Sequence, residues 1–325
     1  MNNNLLLKDF LLLFETEWTN FIKGLSIQFD IDNSQLTVGD RLRPQLVFWG
    51  YIIGCEYIGI EPNLSDVSSL AIPFEAVHKS SIIIDDIIDN DLLRKGKPTF
   101  HSQFGIPNAI LFSILLLTSA IELIQEKNKV LNGSEKLLPL IKTMCLGALN
   151  EINFSNTYKS LDATLEIIQQ ETVSLIQKSF SIGFEYAASK SAVLNSKIEE
   201  IGSILGYLFQ ILNDSEPFFN PGYIVSHKGA LNYDMNLAKG KNSIISFVYG
   251  RCSSEILSRF ESLTYDEIQS LIKKYKIKDF VLNQVEIKNQ YVLKELESLN
   301  LSSANDFQNF YSLAINLAIK RALGD

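Results

Sequence analysis

The chain has 325 residues, 46% of them hydrophobic, a formal net charge of −8 and a pI near 5.1. That length suits one large domain or two ordinary ones, and the apolar content suits a sizeable core. The acidic balance argues against nucleic acid as a partner, since that needs a basic face. Three widely spaced cysteines, Cys55, Cys145 and Cys252, argue against a disulfide framework or a CxxC zinc site.

In chain order, MNNN lacks the positive charge that opens a secretory signal, so a cytoplasmic location is expected. Residues 4–25 are amphipathic and rich in Leu and Phe; a packed first helix is favoured over a membrane-surface helix. Apolar residues then recur three and four apart, first at Val67, Leu70, Ala71, Phe74, Val77 and Ile84. Residues 109–124 are the most apolar stretch. They are too short for a membrane span and contain Ser113, Ser119 and Glu122, so a buried helix without stable membrane insertion is expected. The polar connection at 127–136 fits a helix–helix loop.

Another stripe, Ile198, Ile201, Leu205, Leu208 and Leu212, ends at Asn213. Residues 217–241 carry Pro221, Gly222, Gly229 and Gly240 and read as a long lid or substrate-binding loop. Phe307, Phe310, Leu313, Ala314 and Leu317 form a last stripe. Alternating strand patterns are scarce, and there is no repeat, linker or low-complexity tract. The expectation is all-α: a helical bundle, one domain over residues 1–325, with polar residues turned inward at two helix ends.

The segment at 78–101, HKSSIIIDDIIDNDLLRKGKPTFH, carries the chemistry. Asp85 and Asp89 fall on one helical face with Asp86 beside them, among Ile82, Ile83, Ile84, Ile87 and Ile88. Three carboxylates near a helix C-terminus repel one another and oppose the macrodipole. A hard divalent cation shared with substrate phosphates, Mg²⁺, offsets this. Arg94, Lys95 and Lys97 follow as anion receptors would. A solvated acidic turn beside a basic one is the plainer alternative.

HxxSxxxDDxxDxDxxRKGxPTxH resembles the first aspartate-rich motif of the trans-isoprenyl diphosphate synthases, the polyprenyl synthetase family. GDRLRP at 39–44, QQETVSL at 169–175, FQILNDSEP at 209–217 and KGKNSIIS at 239–246 resemble further family landmarks in the family's order. The resemblance implies the isoprenoid-synthase fold, a helical bundle around a central substrate cavity. It also implies Mg²⁺ as cofactor, an allylic prenyl diphosphate as substrate, and a homodimer. Asp85, Asp86 and Asp89 become metal ligands and Arg94 a diphosphate ligand. Asn213 and Asp214 are the remnant of a second metal site with Gln210 beside them. Arg43, His78 and Lys95 are contacts for isopentenyl diphosphate, and Lys241 is a further diphosphate ligand. Ser80 and Ser81, one turn before Asp85, leave the chain tunnel open to farnesyl or longer substrates. Met235 and Phe247 either line that tunnel or, more simply, pack in the core.

The sequence departs from the family at four places. Asn213 and Pro217 replace aspartates, and Pro217 is expected to end the helix and so misplace Glu216. Asp40 and Glu171 replace lysines, each exchanging a cation for an anion. Asp40 is expected to pair with Arg41 or Arg43. With the acceptor half degraded, the lead expectation is cyclisation of the prenyl cation or its transfer to an acceptor other than isopentenyl diphosphate. Ordinary chain elongation, with a neighbouring Lys or Arg compensating, is the alternative. A non-catalytic partner subunit or prenyl-diphosphate-binding protein is a third.

Overall fold

The computed structural model describes residues 3–26, 36, 39–127, 133–153, 161–189, 191–220, 222 and 242–324. It is built of helices: α1 (Asn3–Ser26), α2 (Leu42–Ile58), α3 (Leu64–Ile88), α4 (Phe100–Phe104), α5 (Ile106–Lys127), α6 (Gly133–Asn153), α7 (Leu161–Ile168), α8 (Ser174–Ala188) and α9 (Ala192–Phe219). After the undescribed stretch come α10 (Ser243–Tyr249), α11 (Ser254–Leu257), α12 (Tyr265–Lys274), α13 (Ile277–Glu297) and α14 (Ser302–Leu323). Two short strands, β1 (Leu93–Arg94) and β2 (Lys97–Pro98), pair antiparallel between α3 and α4.

At the centre, α2 is buried on nearly every side, as its apolar run from Leu46 to Ile53 requires. It meets α8 backbone to backbone. A Cβ on Gly50 would lie 2.0 Å from the Phe180 carbonyl oxygen, and one on Gly183 2.0 Å from that of Val47. Glycine at both positions is what lets the two helices touch. Phe180 stacks on Phe307 of α14 with centroids 4.7 Å apart, and one hydrophobic cluster runs from Phe10 to Leu323. Phe247 belongs to it, packed edge-on against Phe280.

Three expectations are corrected. Helix α5 is buried on one side only: Ala109, Phe112, Leu116 and Ala120 pack inward, while Ile110, Leu111 and Ile114 are exposed. By length and apolarity alone, Ile106–Gln125 would suffice to cross a membrane. In α14 the buried stripe is Phe307, Tyr311, Ile315 and Ala318, one position beyond that expected, and Leu313 and Leu317 are exposed. The helix carries two apolar stripes, and packing against α9 selects one. Helix α9 continues through Pro217 to Phe219. The Tyr265 hydroxyl donates to the Pro217 carbonyl (2.7 Å) and the Gln269 amide to that of Phe218 (2.9 Å), which satisfies two carbonyls of the helix's last turn.

Candidate active site

Helix α3 starts on Asn63, whose side chain accepts from the amides of Ser65 and Asp66. It stops at Ile88, and Asn90 turns the chain with φ 54°. The two-residue loop Lys95–Gly96 has positive φ at both positions, as a hairpin turn of the primed type requires, and folds β1 onto β2. Thr99 closes the hairpin: its amide donates to the Leu92 carbonyl and its hydroxyl to the Asp91 carbonyl (2.7 Å). The buried His101 lies against the same hydroxyl at 3.2 Å. The Pro-Thr-x-His segment thus anchors the loop that presents Arg94 and Lys95.

The three aspartates separate into two roles. Asp86 is buried at 3% exposure, and Arg94 Nε and Nη2 both lie 2.7 Å from its Oδ1. Burial lowers the Arg94 pKa, but Asp86, Asp85 and Asp91 together outweigh it and hold the guanidinium above its ordinary value. Asp85 is exposed and Asp89 half-buried, one turn apart at the helix end, with the Asp89 amide donating to the Asp85 carbonyl (2.8 Å). Among the described residues no three His, Cys, Asp or Glu side chains form a ready metal cage. Mg²⁺ does not need one, since it takes one or two carboxylates, keeps waters and completes its shell with phosphate oxygens. Asp85 and Asp89 fit that requirement.

Beside this helix end lies a group of cations. Arg43 Nη1 donates to His78 Nε2 at 3.2 Å. Because arginine only donates, His78 accepts there in its neutral form. Burial, then Arg43 and Lys79, hold the His78 pKa well below 6.5. Burial pushes Arg43 down to about 10, and its buried Nε has no hydrogen-bond partner among the described residues. Asp40, expected from sequence to pair with Arg41 or Arg43, pairs instead with Lys95 at 3.4 Å. Arg41 is taken up structurally by Glu15 (2.6 Å) and Glu75 (2.8 Å), over the rings of Phe14 and Trp18.

Lys79 was not singled out from sequence. Its side chain is buried, it lies 3.8 Å from Glu75, and its Nζ is 3.2 Å from where a Cβ on Gly39 would stand. A lysine one position after His78, seven residues before Asp86 on the same helix, was the available signal. Ser80 is buried and shares a 2.6 Å hydrogen bond with Ser113 of α5, while the Ser81 hydroxyl turns back to the His78 carbonyl.

On α9 the residues expected at a second metal site are engaged by protein. Asp214 is buried; its Oδ2 accepts from the Ser243 amide (2.8 Å) and hydroxyl (2.7 Å), and its Oδ1 from Gln210 (2.8 Å). Burial pushes its pKa up to about 6 against those hydrogen bonds. Asn213 accepts from Arg321 Nη2 at 2.6 Å, and Arg321 also pairs with Glu216. Glu171 sits in a π-helical turn, Gln169–Val173, with its stem against Gly147 of α6. Lys241 and Met235 lie outside the described residues, as does most of the loop expected at 217–241.

This geometry accompanies a consistent set of likenesses. The chain is 31% identical over 179 residues to a short chain isoprenyl diphosphate synthase of Methanocaldococcus jannaschii, covering 54% of this chain and 53% of that protein. It is 29% identical over 187 residues to the farnesyl diphosphate synthase of Escherichia coli, covering 54% and 60%. The matched region thus spans little more than half the length of these curated relatives. The fold matches heptaprenyl diphosphate synthase from Staphylococcus aureus with a TM-score of 0.78 at 20% identity, over 97% of this chain and 98% of that one. It matches geranylgeranyl pyrophosphate synthetase from Pyrococcus horikoshii with a TM-score of 0.74 at 19% identity, over 99% and 100%. The family model for polyprenyl synthetase matches residues 31–243. The chain therefore belongs to the polyprenyl synthetase family.

Proposed function

We propose that this protein is a Mg²⁺-dependent trans-prenyltransferase that extends an allylic prenyl diphosphate with isopentenyl diphosphate. In that reaction the allylic C–O bond breaks with its electrons leaving on diphosphate. The isopentenyl double bond then attacks the freed carbon, and loss of a proton restores a double bond. Asp85 and Asp89 would hold Mg²⁺, which neutralises the departing diphosphate. Arg94, aimed by Asp86, adds a fixed donor to the same leaving group.

One observation carries the choice of acceptor. Asp40, the anion that argued for a degraded acceptor side, is paired with Lys95, and Lys79, against the adjacent Gly39, is within electrostatic reach of Lys95, Arg43 and Arg41. That surround remains cationic, as a second diphosphate requires. The relatives named above are synthases of isoprenyl diphosphates, which also favours elongation over the cyclisation or alternative transfer read first from Asp40 and Glu171. The exposed apolar side of α5, with Ile110, Leu111 and Ile114, supports a second copy of the chain as partner.

The test is incubation of purified protein with Mg²⁺, farnesyl diphosphate and labelled isopentenyl diphosphate. Label should appear in products longer than farnesyl. Cyclic hydrocarbon formed without label would restore the first reading, and no turnover of any allylic diphosphate would leave a binding protein.

A further inference from the structure

The ends of α9 and α14 meet at the pole of the bundle where α3 ends, with Asp85 and Asp89. Arg41 reaches Glu75 and Gly39 lies against Lys79, so α2 begins beside the second half of α3. Near the other end of α2, Glu56 accepts from the amides of Ser302 and Ser303, which open α14. From there α14 runs back along α2, where Trp49 packs on Phe307 and Phe310. Its 22 residues span about 33 Å. The last turn lands on α9: Asn220 donates to the Arg321 carbonyl (2.8 Å), and the Arg321 guanidinium holds Asn213 through Nη2 (2.6 Å) and Glu216 through Nε.

The donor set on α9 does not fit a metal ion. Asn213 gives its oxygen to a guanidinium, which repels any cation approaching the same atom. Asp214 commits Oδ2 to Ser243 and Oδ1 to Gln210, and Glu216 is paired with Arg321. What this corner holds instead is a fixed positive charge. Because Asn213 is neutral, its hydrogen bond aims the guanidinium without cancelling its charge, as an aspartate would. The corner is also open to solvent. Asn213 is exposed, and Arg321 keeps 33% of its side chain exposed, against 3% for the sealed Arg41. A planar guanidinium fork matches the oxygens of a phosphate group.

We propose that Arg321 stands in for a metal ion on the α9 side, so that the allylic diphosphate is held by Mg²⁺ at α3 and by a guanidinium at α9. This rests on the reading above that an allylic diphosphate is the substrate. Asn213 and Glu216 are then positioning residues for Arg321. An arginine in the last turn of a helix also complements the macrodipole. That role by itself predicts a contribution to stability and none to binding, so the two are separable by measurement.

The test measures binding of inorganic pyrophosphate at saturating Mg²⁺, followed by steady-state kinetics. Arg321→Met should weaken pyrophosphate binding and raise the KM for farnesyl diphosphate by about 10- to 100-fold, as expected for a lost charged hydrogen bond. The KM for isopentenyl diphosphate should hold within about twofold of the unaltered protein's. Asn213→Asp in the Arg321→Met background should restore much of the binding by admitting a metal. Titrated with Mn²⁺ in the presence of pyrophosphate, that double variant should bind about one more ion per chain than the unaltered protein. Arg321→Gln, which keeps a donor for Asn213, serves if the methionine variant fails to fold. A lowered melting temperature with unchanged pyrophosphate binding overturns the proposal, as does an equal Mn²⁺ count in the double variant and the unaltered protein. Pyrophosphate binding that depends on Arg321 in a protein that elongates nothing would instead overturn the elongation reading alone.

Discussion

Arg94 holds Asp86 through two nitrogens, each 2.7 Å from the same carboxylate oxygen, and so sets that buried aspartate apart from Asp85 and Asp89. Asp85 is exposed and Asp89 half-buried at the end of α3. Asp85→Ala should cut turnover by roughly a thousandfold or more, because it removes a ligand that acts as charge leaves with diphosphate. Asp86→Ala and Arg94→Ala should each cost less, on the order of a hundredfold, and the double variant little more than either alone. Steady-state kinetics of the four proteins decides it. Fully additive losses would mean that the Asp86–Arg94 contact has no part in catalysis.

Arg321 now occupies the amide oxygen of Asn213, where sequence reasoning expected a metal. Asn213→Asp should therefore form an ion pair with Arg321 and leave the Mg²⁺ requirement where it was. Only Asn213→Asp combined with Arg321→Met should lower the Mg²⁺ concentration for half-maximal activity. A shift in the single variant would show that Arg321 yields the position readily.

Asp214 ties α9 to α10 at a cost in charge burial. Its pKa, ordinarily 3.8, is pushed up to about 6, so the folded state binds more protons than the unfolded state between those values. Stability from this group falls as pH rises through that window, and the cost persists above it. Asp214→Asn should raise the melting temperature at pH 7.5 by a stabilisation on the order of 1 kcal/mol, and should flatten the pH dependence between about 4 and 6. Asp214→Ala should lower the melting temperature, since Ser243 and Gln210 lose their acceptor. A melting temperature for the asparagine variant below that of the unaltered protein would show that the carboxylate's hydrogen bonds outweigh its desolvation.

The α2–α8 contact is a close backbone-to-backbone approach, and Gly183 has no room for a side chain. Gly183→Ala should destabilise by on the order of 3 kcal/mol or more, because the new methyl meets the Val47 carbonyl rather than a flexible side chain. Gly59→Asn, at a left-handed position with nothing within 4 Å, should cost far less. Thermal melts of the two variants compare them directly.

The helical architecture was legible because its apolar residues recur at helical spacing, as Ile198 to Leu212 do, and every residue of that stripe is buried. The acidic end of α3 stood out in sequence because carboxylates among isoleucines demand a counter-charge. What sequence could not assign was which charges meet. Asp40 stands just before Arg41 and Arg43 in sequence, yet it pairs with Lys95, brought across by a two-residue hairpin turn. Arg321 and Asn213 are 108 positions apart, and no local pattern links them. Pro217 alone predicts a helix end; Tyr265 and Gln269, from α12, hold the helix two residues longer.

The central claim is that the cation made at the Asp85 end of α3 is captured by isopentenyl diphosphate. The most direct measurement follows diphosphate release from farnesyl diphosphate and consumption of isopentenyl diphosphate in the same Mg²⁺-containing reaction. Elongation predicts one isopentenyl diphosphate consumed per diphosphate released, and little release when isopentenyl diphosphate is withheld. Release at an undiminished rate without isopentenyl diphosphate, with a cyclic or otherwise transferred prenyl product, would contradict it.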